Sequence, residues 1–226
     1  MKGARQQVFG VDAALRVIFF FIRQFHGQAP WQKKMEEDIP LFSEWVWYAH
    51  TQFVGEYRSS YVKISNFDTV QMFWRLWNNI PSVNRIFSGR EYGVIQDQII
   101  VGYSIFRNGI LPEWEDVNNA NGAEWWCRGA LIPLSVENLW MEICILLIGN
   151  YMPDQVTGVR LIYKNNRSNK ANFKMEIWFS RSGEGDEVKH SVLRTLQEHL
   201  KYKDLSFMFS VHSDAAEPAK RRVSRW

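Results

Sequence analysis

The sequence is poor in cysteine. Two cysteines, Cys127 and Cys144, stand in 226 residues and form neither a CxxC pair nor a cysteine–histidine set. That argues against a disulfide scaffold, a zinc site or a dithiol redox centre. Both lie in apolar stretches and read as buried thiols in a reducing compartment, which fits a cytoplasmic protein. Excess charge is also lacking. The formal net charge is +3, too small for a polybasic duplex binder, so any nucleic-acid contact is local and short. The apolar run Val17 to Ile22 lies between Arg16 and Arg23. It is far too short to span a bilayer, and no small-residue cleavage site follows a long apolar segment. No membrane contact is expected. Gly-rich phosphate loops, HExxH and GxSxG are missing, and the five histidines are scattered. The chain therefore reads as a binding protein, without a metal or cofactor, and not as an enzyme.

Tryptophan is abundant: 11 residues, with aromatics at 15%. That exceeds the need of a core and implies rings reserved for ligand or partner contacts. The most telling stretch is Pro112-Glu113-Trp114-Glu115-Asp116. A Trp face stacks on a nucleobase, best on a cationic one, and a neighbouring carboxylate can accept two parallel N–H bonds from the edge of guanine.

The chain divides into an N-terminal helix and linker (1–38), a globular domain (39–212) and a basic tail (213–226). In the helix, Val11, Leu15, Ile18, Ile22 and Phe25 share one face. Residues 44–50 read as a strand in which Trp45, Trp47 and Ala49 face one way and Val46 and Tyr48 the other. A second strand covers about 59–65. Asp68-Thr69-Val70-Gln71 reads as a capping box opening a helix to Asn79. Residues 81–102 look irregular, with a short strand near 98–101, and 103–106 form another. Asn118 to Gly122 reads as a flexible polar loop. A strand over 124–131 precedes a helix capped by Ser135 and closed by Gly149. Strands 156–164 and 173–179 form a hairpin with a long polar tip. Lys174, Glu176 and Trp178 share one of its faces, and Phe173, Met175 and Ile177 the other. A helix over 186–201 and a strand over 206–211 complete the domain. Helices interspersed with hairpins predict an α+β fold with a mainly antiparallel sheet.

In their order and spacing, several segments resemble the mRNA cap-binding translation initiation factors of the 4E class. They are Ile39-Pro40-Leu41 with Trp45-Val46-Trp47; Ser65-Asn66-Phe67-Asp68-Thr69-Val70 with Phe73-Trp74; Tyr103-Ser104-Ile105-Phe106; Gly109-Ile110 with Pro112 to Asp116; Leu139-Trp140-Met141-Glu142 with Leu147-Ile148-Gly149; and Glu176-Ile177-Trp178. The resemblance spans about 39–212 and leaves the N-terminal helix outside. It implies a curved antiparallel sheet with three helices on its convex face. It implies that Trp114 stacks on 7-methylguanine, that Glu115 accepts its N1 and N2 protons, and that Trp178 touches the N7-methyl group. Lys164 and Lys174 would hold the triphosphate. Pro40, Val70, Trp74, Trp140 and Met141 would dock a short helical motif of a 4G-type scaffold or a repressor. The implied partners are thus 5′-capped mRNA and such a protein.

The chain departs from the family pattern in three places, as a divergent, protist-type paralogue would. The second stacking residue, usually Trp, matches Tyr57, with Phe53 and Tyr61 as alternatives if the loop register slips. Glu124 replaces a basic residue near the triphosphate, where an acid would repel. The loop between Lys164 and Lys174 is long and carries Arg167 and Lys170, which could restore the charge. The leading reading is a cap-binding factor that recruits a scaffold for translation initiation. The alternatives are a cap-binding translational repressor and a partner-binding module with a weakened cap pocket.

Overall fold

The computed structural model describes residues 38–53, 59–88, 93–164, 171–180, 185–201 and 205–212. The predicted N-terminal helix, Tyr57, Arg167, Lys170 and the basic tail lie outside these residues. Strands β1 (Pro40–Gln52) and β2 (Ser59–Thr69) lead into α1 (Val70–Asn79) and the short α2 (Val83–Phe87). Then come β3 (Val94–Ile95), β4 (Gln98–Arg107), β5 (Ala123–Leu131), α3 (Pro133–Ile148), β6 (Val156–Lys164), β7 (Ala171–Phe179), α4 (Gly185–His199) and β8 (Met208–Val211). One sheet runs β2-β1-β4-β6-β7-β5-β8, with β3 paired to β4. Every described strand pair is antiparallel.

Alternation divides the sheet into two unlike faces. Trp45, Trp47, Ala49, Phe173, Met175 and Ile177 enter the large core under the helices. Trp47 is its hub, with ring contacts to Phe73 at 5.7 Å, Trp77 at 6.0 Å and Trp140 at 6.5 Å. Val46, Tyr48, Phe106 and Trp178 form a small cluster on the opposite face, flanked by Tyr61, Ile110 and Trp114. This face carries the candidate site.

Several local expectations changed. Residues 81–102 contain α2 and a hairpin, β3–β4, whose two-residue turn places Gln96 and Asp97 at φ 50° and 62°. Both central residues at positive φ give the turn a twist that suits a tight hairpin. The cap of α1 is Thr69, not an Asp68 box: its hydroxyl accepts from Met72 N at 3.2 Å. Gln71 instead accepts from Ile39 N at 2.9 Å, tying the start of the sheet to the helix. Helix α3 begins with Pro133 in its first turn and has no side-chain cap, so Ser135 lies inside it. Proline needs no N–H at that position, and its fixed φ suits a helix start. At the other end, Asn150 and not Gly149 takes the left-handed conformation, at φ 59°. Gly149 is required for a different reason, since a Cβ there would lie 2.7 Å from Ile145 O.

Candidate nucleotide-binding site

The Trp114 loop hangs between β4 and β5 and is held by two side chains. The Asp116 carboxylate accepts from Leu111 N at 2.9 Å through one oxygen and from Asn118 N at 2.9 Å through the other. Asn119 is wholly buried. Its amide donates to Leu111 O at 2.8 Å and Glu113 O at 2.9 Å, on both sides of the loop. His212 Nδ1 donates to Asn119 O at 2.7 Å, which leaves Nε2 unprotonated in the neutral ring. Burial lowers the pKa of His212 and favours that neutral form. The expected flexible loop at 118–122 is therefore a fastened turn. Asn119 bonds to carbonyls of the preceding turn and Asn118 to the Asp116 carboxylate, which composition does not reveal.

Trp114 is half-buried and stands nearly parallel to Trp178, at 6.3 Å and 26°. The Trp178 ring has no exposed area. His212 lies 4.6 Å away, Phe106 meets it edge-on at 5.4 Å, and the Arg160 guanidinium sits 4.7 Å over it. Trp114, Trp178 and Arg160, together with His50, Ser60, Tyr61, Pro112, Glu113 and the exposed Glu115, border a cavity of about 270 Å³. Tyr61 donates to Glu113 at 2.6 Å. Burial, followed by that bond, raises the pKa of Tyr61 and keeps it protonated. His50 shares a hydrogen bond with Ser104 at 2.9 Å. Burial, followed by the Arg160 charge, lowers its pKa to about 3, so the ring is neutral. Trp114, Glu115 and Trp178 thus line one cavity. Tyr61, the alternative ring, lies on the cavity wall, whereas Phe53 is exposed at the end of β1.

The cations are arranged differently from the expectation. Lys174 pairs with Glu124 at 2.9 Å and with Glu176, and Arg160 pairs with Glu176. Burial would raise the pKa of Glu176, but Arg160 and Lys174 outweigh it and hold the carboxyl at about 2. For Glu124, burial and then the Glu176 charge prevail over Lys174 and raise the pKa. Two acids and two cations therefore form a closed, near-neutral group beneath the cavity. The repulsion expected from Glu124 is offset by Lys174, and the Lys174 charge is already engaged. Such a group is strongly interdependent, because removing one member leaves its partner's charge buried. Arg160 borders the cavity and had not been singled out from sequence. The available signal was its place two residues after Gly158, which pairs with Trp178. Lys164 lies opposite Asn172 in the hairpin ladder.

On the helical side, Pro40 is exposed, Met141 half-buried, and Val70, Trp74 and Trp140 buried. Trp140 has no exposed area and packs on Trp47, so it lies beneath the surface expected to dock a partner. No group of acids, cysteines and histidines that could hold a metal occurs among the described residues. No helix among them is long and apolar enough to cross a membrane.

The combination is that of an α+β protein with a ring-and-carboxylate pocket on the open face of an antiparallel sheet. A sequence model described as "Eukaryotic initiation factor 4E" matches residues 40–225, and the chain belongs to that family. Eukaryotic translation initiation factor 4E1 of Drosophila melanogaster is 28% identical over 180 residues, which are 77% of this chain but only 63% of that protein. Eukaryotic translation initiation factor 4E-1 of Oryza sativa is 27% identical, covering 88% of this chain and 82% of its own length. Among solved structures, Caenorhabditis elegans eIF4E-3 in complex with the 4E-binding protein Mextli has a TM-score of 0.63 at 26% identity. It covers 80% of this chain and 97% of its own. A schistosome eIF4E complexed with m7GpppA and 4E-BP has a TM-score of 0.60 at 25% identity, covering 80% of this chain and 92% of its own.

Proposed function

We propose that this protein binds the 7-methylguanosine 5′ cap of mRNA in the Trp114 pocket and docks a scaffold or repressor helix on its opposite face, in the cytoplasm. The observation that carries the reading is the placement of Trp114, Glu115 and Trp178 around one cavity on the open face of the sheet. The solved relatives with a cap analogue or m7GpppA bound support it.

In this reading N7-methylation makes the guanine ring cationic. Trp114 stacks on one face, with Tyr57 supplying the second ring and Trp178 the wall nearest the methyl group. Stacking contributes about 1–3 kcal/mol per base, and a desolvated cation–π contact adds about 2 kcal/mol, a term unmethylated guanine forfeits. Glu115 adds charge-assisted bonds of about 1.5–3 kcal/mol to N1–H and the N2 amino group, an edge that adenine does not offer. Association entropy offsets much of that sum, leaving a dissociation constant on the order of 1 μM, or about −8 kcal/mol. The phosphate chain is assigned to Lys164, Lys174, Arg167 and Lys170, with Lys174 shared with Glu124 and Glu176. Pro40, Val70, Trp74, Trp140 and Met141 form or support the docking surface. A second reading, a partner-binding module with a weakened cap pocket, is favoured by one observation: the engagement of Lys174 and Arg160 in ion pairs.

Tryptophan fluorescence titrated with 7-methyl-GTP and with GTP tests the proposal. Saturable quenching by the methylated nucleotide at least tenfold tighter than by GTP is expected. Equal responses, or none, would overturn it.

A further inference from the structure

The concave face continues past the base pocket along β5 and β7. Glu124 stands opposite Trp178, Trp126 opposite Glu176, and Arg128 opposite Lys174. With side chains alternating, Glu124, Trp126 and Arg128 share the face that carries Trp178. Trp126 and Arg128 lie two and four residues beyond Glu124, about 7 and 13 Å along the strand.

The two residues are in cation–π contact. The Arg128 guanidinium carbon lies 5.0 Å over the Trp126 ring. Trp126 Nε1 donates to Ser210 Oγ at 2.8 Å, which fixes the ring between β5 and β8. Lys174 Nζ also lies 5.1 Å from the ring, but Lys174 is paired with Glu124 and Glu176. Arg128, by contrast, is exposed and has no carboxylate partner among the described residues. Beside it, at the end of the β5–β7 ladder, lies a second cavity of about 600 Å³, open to solvent, lined by Arg128 and Asn172 and, from the opposite face, by Gly129 and Phe173. That volume is of ligand size.

The chemistry of this pair suits a polynucleotide. A guanidinium over an aromatic ring can offer its free face to a base and its edge N–H groups to a phosphate. The cations beneath the base pocket are neutralised by acids, so Arg128 is the first uncommitted cation along this path among the described residues. A strand advances at least about 3.4 Å per nucleotide, so a few linked nucleotides reach from Trp178 to Arg128. We propose that Arg128, over Trp126, forms a second nucleotide site, which stacks and charge-pairs an RNA nucleotide downstream of the cap. This rests on the cap-binding reading for its direction along the face.

The test compares wild type with Arg128→Ala and Arg128→Lys against three probes: 7-methyl-GTP, a five-nucleotide RNA with a 7-methylguanosine cap, and the same RNA with a 5′-triphosphate. Arg128→Ala should weaken the capped RNA at least fivefold and leave 7-methyl-GTP within twofold. Arg128→Lys keeps the charge without the planar group and should recover only part of the loss. The proposal is overturned if Arg128→Ala leaves the capped RNA within twofold, or if it weakens 7-methyl-GTP by the same factor as the capped RNA. If wild type fails to distinguish methylated from unmethylated probes, the cap reading falls on its own. The triphosphate RNA then decides the second site: sensitivity to Arg128→Ala sustains it and insensitivity removes it. Arg128 is exposed, so the variants should fold, and unchanged thermal melting verifies this.

Discussion

Replacing Asn119 by Ala should damage ligand binding without touching the ligand. The Asn119 amide donates to Leu111 O and Glu113 O, the two carbonyls that bracket Pro112 just before Trp114. Each such bond is worth about 1 kcal/mol net, so the substitution removes about 2 kcal/mol from the closed loop. The Asp116 bonds to Leu111 N and Asn118 N remain, as does the backbone bond from Asn119 N to Asp116 O. The loop should therefore loosen and not unfold. If all of that energy serves to preorganise Trp114 and Glu115, affinity for 7-methyl-GTP falls by about 30-fold, since 1.36 kcal/mol is a factor of ten. If half is recovered by water reaching the freed carbonyls, the loss is nearer fivefold. Fluorescence titration reads the affinity, and urea unfolding reads the stability, which should drop by about 2 kcal/mol at most. A variant that unfolds more easily yet binds within twofold of wild type would refute the claim that this amide positions the site.

Trp114→Ala should abolish retention on a 7-methyl-GTP resin while leaving a scaffold-derived helical peptide bound; unchanged retention would mean that another ring carries the base. Trp74→Ala should do the reverse, and undiminished peptide binding would remove the docking assignment. Glu176, held at about 2 in the folded state, has a depressed pKa. The stability it contributes is present above the unfolded-state value near 4.5 and is lost as pH falls from there toward 2. The full shift corresponds to about 3 kcal/mol. Unfolding free energies measured across that window should therefore fall less steeply in Glu176→Gln than in wild type, and parallel profiles would show that another carboxylate governs acid stability. Glu124→Gln frees Lys174 from one acid and should tighten triphosphate binding relative to the free 7-methylguanosine nucleoside. An unchanged ratio would show that Lys174 faces away from the phosphates.

Much of the domain is legible from local pattern. The two-faced alternation of 45–49 and of 173–178, the amphipathic 70–79 and the almost wholly apolar 139–148 identify their elements, because burial imposes periods of two and 3.6 on the residues that face a core. The Trp114-Glu115 pair is equally visible, since its chemistry is local and unusual. Charge pairing is not: Lys174 meets Glu124 across 50 positions and Glu176 across two. Only strand register and burial decide that these groups neutralise one another and do not face a ligand. The same holds for Asn119, which looks like loop filler in sequence and becomes a staple once the turn closes around it. By itself, then, the sequence determined the order of most strands and helices, the two faces of the sheet and the ring proposed to meet a base. The tertiary structure alone decided which cations remain available on that face, because a charge's availability depends on its neighbours in space and on the water it has lost.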